Sequence, residues 1–202
     1  PLVRKLGARG TKLQPQTAFH PCEKSDVVET MDVTQGKLCM GFVTPIINRG
    51  KDFAAMQLLN VIYGSGMTSK LFVNVREKMS LCYSIGSGYY GTKGIVTVAA
   101  GIDFDKESLT REEILRHLDA CRNAEISEQE LRSAKEAILS SLRATHDSPG
   151  AIEGYYSTAA LSGMGLTPRA YMEALDAVTL SDVVAAAGHL TLRGSYFLRG
   201  EA

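Results

Sequence analysis

The sequence predicts an α+β fold of two layers, in which helices pack on one face of a largely antiparallel sheet. Apolar-rich runs of strand length alternate along the chain with amphipathic runs of helical period. The predicted order is a strand, two helices, a β-hairpin, several helices and a closing strand, which is neither strict β–α alternation nor an all-helical pattern. A two-layer domain suits that order, because each apolar face must be buried against another element.

The domain is predicted to cover residues 27–202, after a lead-in or linker at residues 1–26. The lead-in holds three of the six prolines and shows no sustained hydrophobic period. The first strand is predicted at residues 37–44, because this run is rich in apolar residues and Pro45 ends it.

Two helices are predicted after the first strand. Residues 52–63 are apolar on most sides, so they predict a heavily buried helix that the glycines of residues 64–66 end. Thr68 is predicted to cap the second helix, which is short and amphipathic. Its predicted buried stripe consists of apolar residues three and four positions apart, namely Leu71, Phe72, Val75 and Met79.

A β-hairpin is predicted next. The β-rich runs 83–90 and 95–102 flank Gly91-Thr92-Lys93-Gly94, whose residue types are typical of a turn. Residues 194–198 are predicted to form the closing strand. We expect an exposed edge of the resulting sheet, near the hairpin, to be free to pair with an extended peptide or another chain.

Helix-start signals account for most of the chain after the hairpin. Capping-box patterns predict helices that begin after Thr110, Ser127 and Thr179. Pro149 and Pro168 each follow a serine or threonine and predict two more helices, because proline is favoured at the first helical position.

The composition excludes several classes of function. The 22 basic and 22 acidic residues cancel without a long run of either sign, so we expect no nucleic-acid partner and no membrane partner. No apolar run approaches the roughly 20 residues that a membrane-spanning helix needs. The four cysteines are widely spaced without a C-x-x-C pair, and no signal peptide is recognisable, which together predict a cytoplasmic location.

Three short motifs suggest chemistry but lack the context that it requires. Residues 86–91 match G-x-G-x-x-G, yet they lie within the predicted hairpin rather than between a strand and a helix. Residues 64–70 resemble a phosphate loop without the glycine before its lysine. His20 begins a pattern similar to H-x-x-E-H, but the last ligand is missing and Pro21 argues against a zinc helix. The chain therefore contains no self-sufficient catalytic group.

The strongest candidate site is the pair Arg76 and Tyr83, at the predicted junction of the amphipathic helix and the hairpin. Arg76 lies off the predicted buried stripe, and its fork of N–H donors suits a carbonyl or carboxylate oxygen. A tyrosine hydroxyl nearby can donate to the same oxygen, which would make the pair a clamp for a peptide carbonyl or an oxyanion. The residues alone leave an alternative open, in which Arg76 pairs with a surface carboxylate and Tyr83 packs at a strand edge.

Four segments resemble the second, non-zinc-binding domain of pitrilysin/insulinase-type zinc peptidases, the M16 family or inverzincins. They are Gln35-Gly36-Lys37-Leu38, residues 64–72, Val75-Arg76-Glu77-Lys78 and Leu81-Cys82-Tyr83-Ser84. The resemblance implies an α+β domain that encloses a substrate chamber together with a homologous domain. It also implies that Arg76 and Tyr83 hold the backbone of an extended peptide. Zinc would be held by an N-terminal domain or partner subunit, and this chain would hold none.

The resemblance is compatible with two functions, and a third stands apart from it. The first is a substrate-clamping, chamber-forming domain of a zinc metalloendopeptidase, in which the parent chain or complex cuts peptides although this chain alone does not. The second is a non-catalytic scaffolding subunit or partner of an active peptidase, because the motif forms are similar to those of an inactive bacterial subgroup. The third is an unrelated α+β binding module. The partners implied by the resemblance are a peptide substrate and either the N-terminal half of the same protein or a homologous subunit.

Overall fold

The computed structural model describes residues 23–201 of the 202-residue chain. Most of the lead-in predicted at residues 1–26, including His20, lies outside the described residues. The first strand begins at Ser25, two residues before the predicted start of the domain at residue 27.

The described residues form five strands, a set of α-helices and one π-helix. The strands are β1 (Ser25–Met31), β2 (Gly36–Val43), β3 (Cys82–Tyr90), β4 (Ile95–Ile102) and β5 (Thr191–Gly200). The α-helices are α1 (Phe53–Tyr63), α2 (Glu107–Arg122), α3 (Glu128–Ala144), α4 (Pro149–Ser162), α5 (Pro168–Ala177) and α6 (Leu180–Gly188). The π-helix is Leu71–Lys78, and short 3₁₀ turns cover Phe104–Lys106 and Thr145–Asp147.

The sheet is largely antiparallel, as predicted. Its strand order is β1-β5-β2-β4-β3. β1 runs parallel to β5, whereas the pairs β5–β2, β2–β4 and β4–β3 are antiparallel. The predicted hairpin is confirmed as β3 and β4, joined by a turn at residues 91–94. β1, whose seven residues are all exposed, was not predicted.

Helices cover one face of the sheet, which confirms the predicted two-layer architecture. Met40 of β2 and Val98 of β4 are paired in register, and both side chains are fully buried. Their neighbours Cys39 and Ala99 lie on the opposite face, where Ala99 is exposed, because successive strand residues alternate between faces. The buried face packs against apolar residues of α1, α2, α3, α5 and α6 in one continuous core.

Of the five helix starts predicted after the hairpin, four are confirmed and one is wrong. Ser127 and Thr179 form complete capping boxes, and the predicted prolines open α4 and α5. α2 begins at Glu107 instead of after Thr110, because a 3₁₀ turn directly after β4 already starts the helical path. Thr110 is consequently buried within the helix, and its hydroxyl has no hydrogen-bond partner in the described part of the chain.

The predicted amphipathic helix is a π-helix, and its start differs from the prediction. Ser69, rather than Thr68, supplies the hydroxyl at its start: the Oγ donates to the Gly66 carbonyl at 2.7 Å and accepts from the Phe72 N–H at 3.4 Å. Only part of the predicted stripe is buried, since Met79 is 39% exposed. A π-helix holds more residues per turn than an α-helix, so three- and four-residue steps drift off one face.

Candidate functional site

A tight exit from the π-helix places Arg76 beside the start of β3. Ser80 adopts a left-handed backbone conformation with φ of 52°. The Ser80 N–H donates to the Arg76 carbonyl at 3.1 Å, and the Leu81 N–H donates to the Val75 carbonyl at 3.0 Å. A left-handed residue with such back-bonds is a common way to end a helix and redirect the chain. Arg76, in the last turn of the helix, is therefore held close to the first residues of the strand.

An irregularity in the ladder places Tyr83. Cys82 pairs with Ile102 and Ser84 pairs with Gly101, which leaves Tyr83 between them as an extra residue on β3. Cys82 is buried, whereas Tyr83 is 58% exposed. A β-bulge of this kind redirects a side chain relative to the regular alternation of the strand.

Both predicted site residues line one cavity of about 400 Å³. Its lining residues belong to the end of the π-helix, the start of β3 and the turn after β4: Arg76, Glu77, Ser80, Leu81, Cys82, Tyr83, Asp103 and Lys106. The sequence reasoning missed Asp103 and Lys106. They lie three positions apart on a 3₁₀ turn, and only the pairing of β3 with β4 brings them to this cavity.

The Arg76 guanidinium is held by contacts with its own helix. Its Cζ lies 4.6 Å from the centroid of the Phe72 ring, which is a cation–π geometry. Its Nη1 lies 3.7 Å from Oε1 of Glu77, so the predicted alternative of pairing with a surface carboxylate is present in a loose form. A separation of 3.7 Å is too long for a hydrogen bond, and a guanidinium carries five N–H donors. Arg76 therefore keeps donor capacity for a ligand.

The Tyr83 hydroxyl belongs to a chain of charged contacts. Its Oη donates to Oδ1 of Asp103 at 2.6 Å. Lys106 Nζ lies 2.9 Å from the other carboxylate oxygen of Asp103 and donates to the Ser80 carbonyl at 3.3 Å. Lys106 thus links the acceptor of the Tyr83 proton to the left-handed turn that ends the π-helix.

These contacts set the protonation states in the cavity. The hydrogen bond to Asp103, together with the charge of that carboxylate, raises the pKa of Tyr83. The hydrogen bonds from Tyr83 and Lys106 lower the pKa of Asp103, and the hydrogen bond to Asp103 raises the pKa of Lys106. Burial raises the pKa of the Cys82 thiol to about 11. At neutral pH the cavity therefore holds a neutral phenol, an ionised carboxylate, an ammonium group and a protonated, poorly nucleophilic thiol.

The cavity does not fit the zinc that the sequence resemblance implies for the wider protein. Within residues 23–201 the structure contains no group of three or more histidine, cysteine, aspartate or glutamate side chains able to hold a metal ion. Of the cavity's own groups, Asp103 is already engaged by Tyr83 and Lys106. In the same part of the chain, no helix is both long and apolar enough to span a membrane.

The loop that resembled a phosphate loop packs against the hairpin instead. The Gly64 carbonyl accepts a hydrogen bond from the Ser87 N–H at 3.0 Å, on the side of β3 that faces away from β4. The hairpin edge that the sequence predicted to be free is therefore partly covered. A Cβ at Gly64 would lie 2.8 Å from the Ser87 Cβ, so this close approach requires glycine.

Comparisons with known proteins agree on one family. The family model described as the peptidase M16 inactive domain matches residues 2–138. YmfF of Bacillus subtilis, a probable inactive metalloprotease, is 30% identical over 178 residues, which cover 88% of this chain and 42% of the relative. An uncharacterized zinc protease of Rickettsia felis is 30% identical over 157 residues, which cover 76% of this chain and 38% of the relative.

A solved structure also resembles this chain. A conserved protein from Enterococcus faecalis V583 superimposes with a TM-score of 0.83 at 29% identity, over 91% of this chain and 43% of that protein. The chain thus spans less than half the length of each of these relatives.

Proposed function

We propose that this chain, which belongs to the M16 peptidase family and matches the inactive domain of that family, is the substrate-clamping, chamber-forming domain of a zinc metalloendopeptidase. In this proposal Arg76 and Tyr83 hold the backbone of an extended peptide. Zinc is held by a domain outside this chain. The parent chain or complex hydrolyses peptides, and this domain supplies binding rather than chemistry. The family assignment excludes the third function considered above, an unrelated α+β module.

One observation carries the proposal: Arg76 and Tyr83 line the same cavity although they come from different elements. Two irregular features produce that proximity, namely the left-handed Ser80 and the bulge at Tyr83. Such features cost free energy relative to regular structure, and they concentrate at binding and active sites.

The geometry also suits recognition of a peptide backbone. A cavity of about 400 Å³ falls within the usual size of ligand sites. The Phe72 ring holds the Arg76 guanidinium before any ligand arrives, so less conformational entropy is lost on binding. Hydrogen bonds to backbone atoms do not depend on the side chains of the peptide, which is consistent with a substrate class of extended peptides.

A second function is favoured by one specific observation, the resemblance to a protein described as a probable inactive metalloprotease. In that case the chain is part of a non-catalytic scaffolding subunit that accompanies an active peptidase. The partner in both functions is a homologous domain or subunit. An intact H-x-x-E-H in the N-terminal half of the full-length protein would favour the first function, and its loss would favour the second.

The clamp is tested by substitution in the full-length protein, or in its complex with the active subunit if the parent lacks H-x-x-E-H. Turnover of a quenched-fluorescent pool of random decapeptides is measured for Arg76→Ala and Tyr83→Phe. Arg169→Ala and Tyr156→Phe serve as matched controls, because both residues are exposed on other helices. We expect turnover to fall about tenfold or more in Arg76→Ala, the effect of losing a charged hydrogen bond, with both controls unchanged. Equal turnover in all four variants would refute the clamp.

A further inference from the structure

We propose that Asp103, held by Lys106, makes Tyr83 a hydrogen-bond acceptor toward the bound peptide, so that the site binds a backbone N–H together with the carbonyl that Arg76 binds. This inference rests on the proposed function of the same cavity. It assigns Asp103 as a positioning residue, and it names the peptide atom that Tyr83 contacts.

The single proton of the Tyr83 hydroxyl is already used in the hydrogen bond to Asp103. A phenol carries one proton, and the structure places that proton toward Asp103 Oδ1 across a distance of 2.6 Å. An ionised carboxylate can only accept, so the direction of this hydrogen bond is fixed. What Tyr83 then offers to a ligand is the lone pairs of its oxygen, which accept hydrogen bonds.

Asp103 is itself held in place by Lys106. Lys106 Nζ lies 2.9 Å from Asp103 Oδ2 and also donates to the Ser80 carbonyl. Cys82 pairs with Ile102 in the ladder, and Tyr83 and Asp103 are the residues that directly follow this pair. Strand pairing and an ion pair therefore both keep Asp103 beside Tyr83.

Tyr83 has two possible roles toward a peptide, as a donor or as an acceptor of a hydrogen bond. To donate to a peptide carbonyl, the hydroxyl would have to give up a charge-assisted hydrogen bond for a neutral one that is roughly half as strong. To accept from a peptide N–H, it gives up nothing. Arg76 can only donate, so Arg76 and Tyr83 together match the one acceptor and one donor that a peptide unit presents.

A titration tests the Asp103 contact without any peptide. The full-length protein is labelled with ring-¹³C tyrosine, and the Tyr83 signal is identified by its absence in Tyr83→Phe. We expect Tyr83 to titrate at a higher pH than an exposed tyrosine, and to titrate at a lower pH in Asp103→Asn. The matched control is Asp105→Asn. This substitution removes a nearby carboxylate that forms no hydrogen bond with Tyr83 and that raises the pKa of Tyr83 less than Asp103 does. A Tyr83 titration that is the same in the parent and in Asp103→Asn would overturn the inference.

An ester scan tests the role toward the peptide. The probe is the decapeptide of the random pool that binds the parent most tightly, with each peptide bond in turn replaced by an ester, which removes one N–H. We expect one ester position to weaken binding about fivefold in the parent, the effect of losing a neutral hydrogen bond, and less than twofold in Tyr83→Phe. If Tyr83→Phe lowers the binding affinity of every ester peptide by the same factor, then Tyr83 accepts no peptide N–H. That result would overturn the inference.

The two proposals fail in different ways. If no decapeptide of the pool binds the parent, the proposed function fails and the inference fails with it, even where Asp103→Asn changes the Tyr83 titration. If binding depends on Arg76 but no ester position depends on Tyr83, the proposed function stands and only the inference fails.

Discussion

We expect the substitution Gly64→Ala to destabilise the domain through one steric contact. A Cβ on Gly64 would lie 2.7 Å from the Ser87 Oγ, 2.8 Å from the Ser87 Cβ and 3.0 Å from the Leu71 Cδ1. The Ser87 Cβ cannot move without its strand, and the Ser87 N–H is bonded to the Gly64 carbonyl at 3.0 Å. Overpacking of this kind costs about 1–3 kcal/mol of unfolding free energy. For a domain of this size that corresponds to a melting temperature lower by about 2–12 °C.

The assay is thermal and urea unfolding of the full-length protein, with Gly154→Ala as the matched control. A Cβ on Gly154 meets no atom within 4 Å, and Gly154 lies in the middle of α4. Alanine there should stabilise the helix by about 0.5–1 kcal/mol, because glycine is a poor helix former. The same type of substitution should therefore change stability in opposite directions at the two positions.

A double-mutant cycle isolates the contact with Ser87. Ser87→Gly removes both the Oγ and the Cβ that the new methyl group would meet, although it also removes a hydrogen bond from the Ser87 Oγ to Asn60 Oδ1 at 2.8 Å. The cost of Gly64→Ala should fall below about 1 kcal/mol in the Ser87→Gly background. A cost that is equal in both backgrounds, or a Gly64→Ala protein as stable as the parent, would refute the steric explanation.

Two further predictions concern contacts at the start of the π-helix. Phe72→Leu removes the ring that holds Arg76. Peptide affinity, measured by fluorescence anisotropy, should therefore fall about two- to fivefold, which corresponds to losing about 0.5–1 kcal/mol of cation–π energy. An unchanged affinity would contradict this prediction. Glu130→Gln keeps a capping-box residue for Ser127 but removes the ion pair with Lys70 at 2.8 Å. Burial raises the pKa of Glu130, but hydrogen bonds with Lys70 and Ser127 outweigh this effect, so the pKa of Glu130 lies below the 4.5 of an unperturbed glutamate. The stability difference between parent and variant should therefore be present above pH 4.5 and shrink as the pH falls below it, and a urea midpoint difference that is independent of pH would contradict this.

The sequence predicted those elements whose signals are local. Ser127 and Thr179 carry the complete chemistry of a capping box within four residues, so each pattern could be assigned without the fold. Thr110 shows the limit of that reasoning, because the same pattern lies inside a helix that the 3₁₀ turn after β4 has already begun. β1 gave no signal, because its seven exposed residues lack the alternation of a half-buried strand and its partner is the last strand of the chain.

The candidate site shows the same limit. The residue types and spacing of Arg76 and Tyr83 left a surface-pairing alternative open, and the resemblance to the M16 domain favoured the clamp. Asp103 and Lys106 could not be selected from the sequence, because their contacts with Tyr83 and Ser80 depend on the register of β3 and β4 and on a bulge that no residue type announces. The sequence therefore named the two residues of the proposed clamp, but not the two residues that form the hydrogen-bonded chain beside them.

Lys106 connects the two irregular features that create the site. Its ammonium contacts the Ser80 carbonyl, which lies in the left-handed turn at the end of the π-helix, and it contacts Asp103, which accepts the hydrogen bond of Tyr83. Residues in uncommon backbone conformations persist when several surrounding contacts fix them, and here one side chain contributes to fixing both. The relative position of Arg76 and Tyr83 therefore depends on a residue that need not touch the ligand. Any contact that displaced Lys106 would disturb the donor and the acceptor of the proposed clamp together.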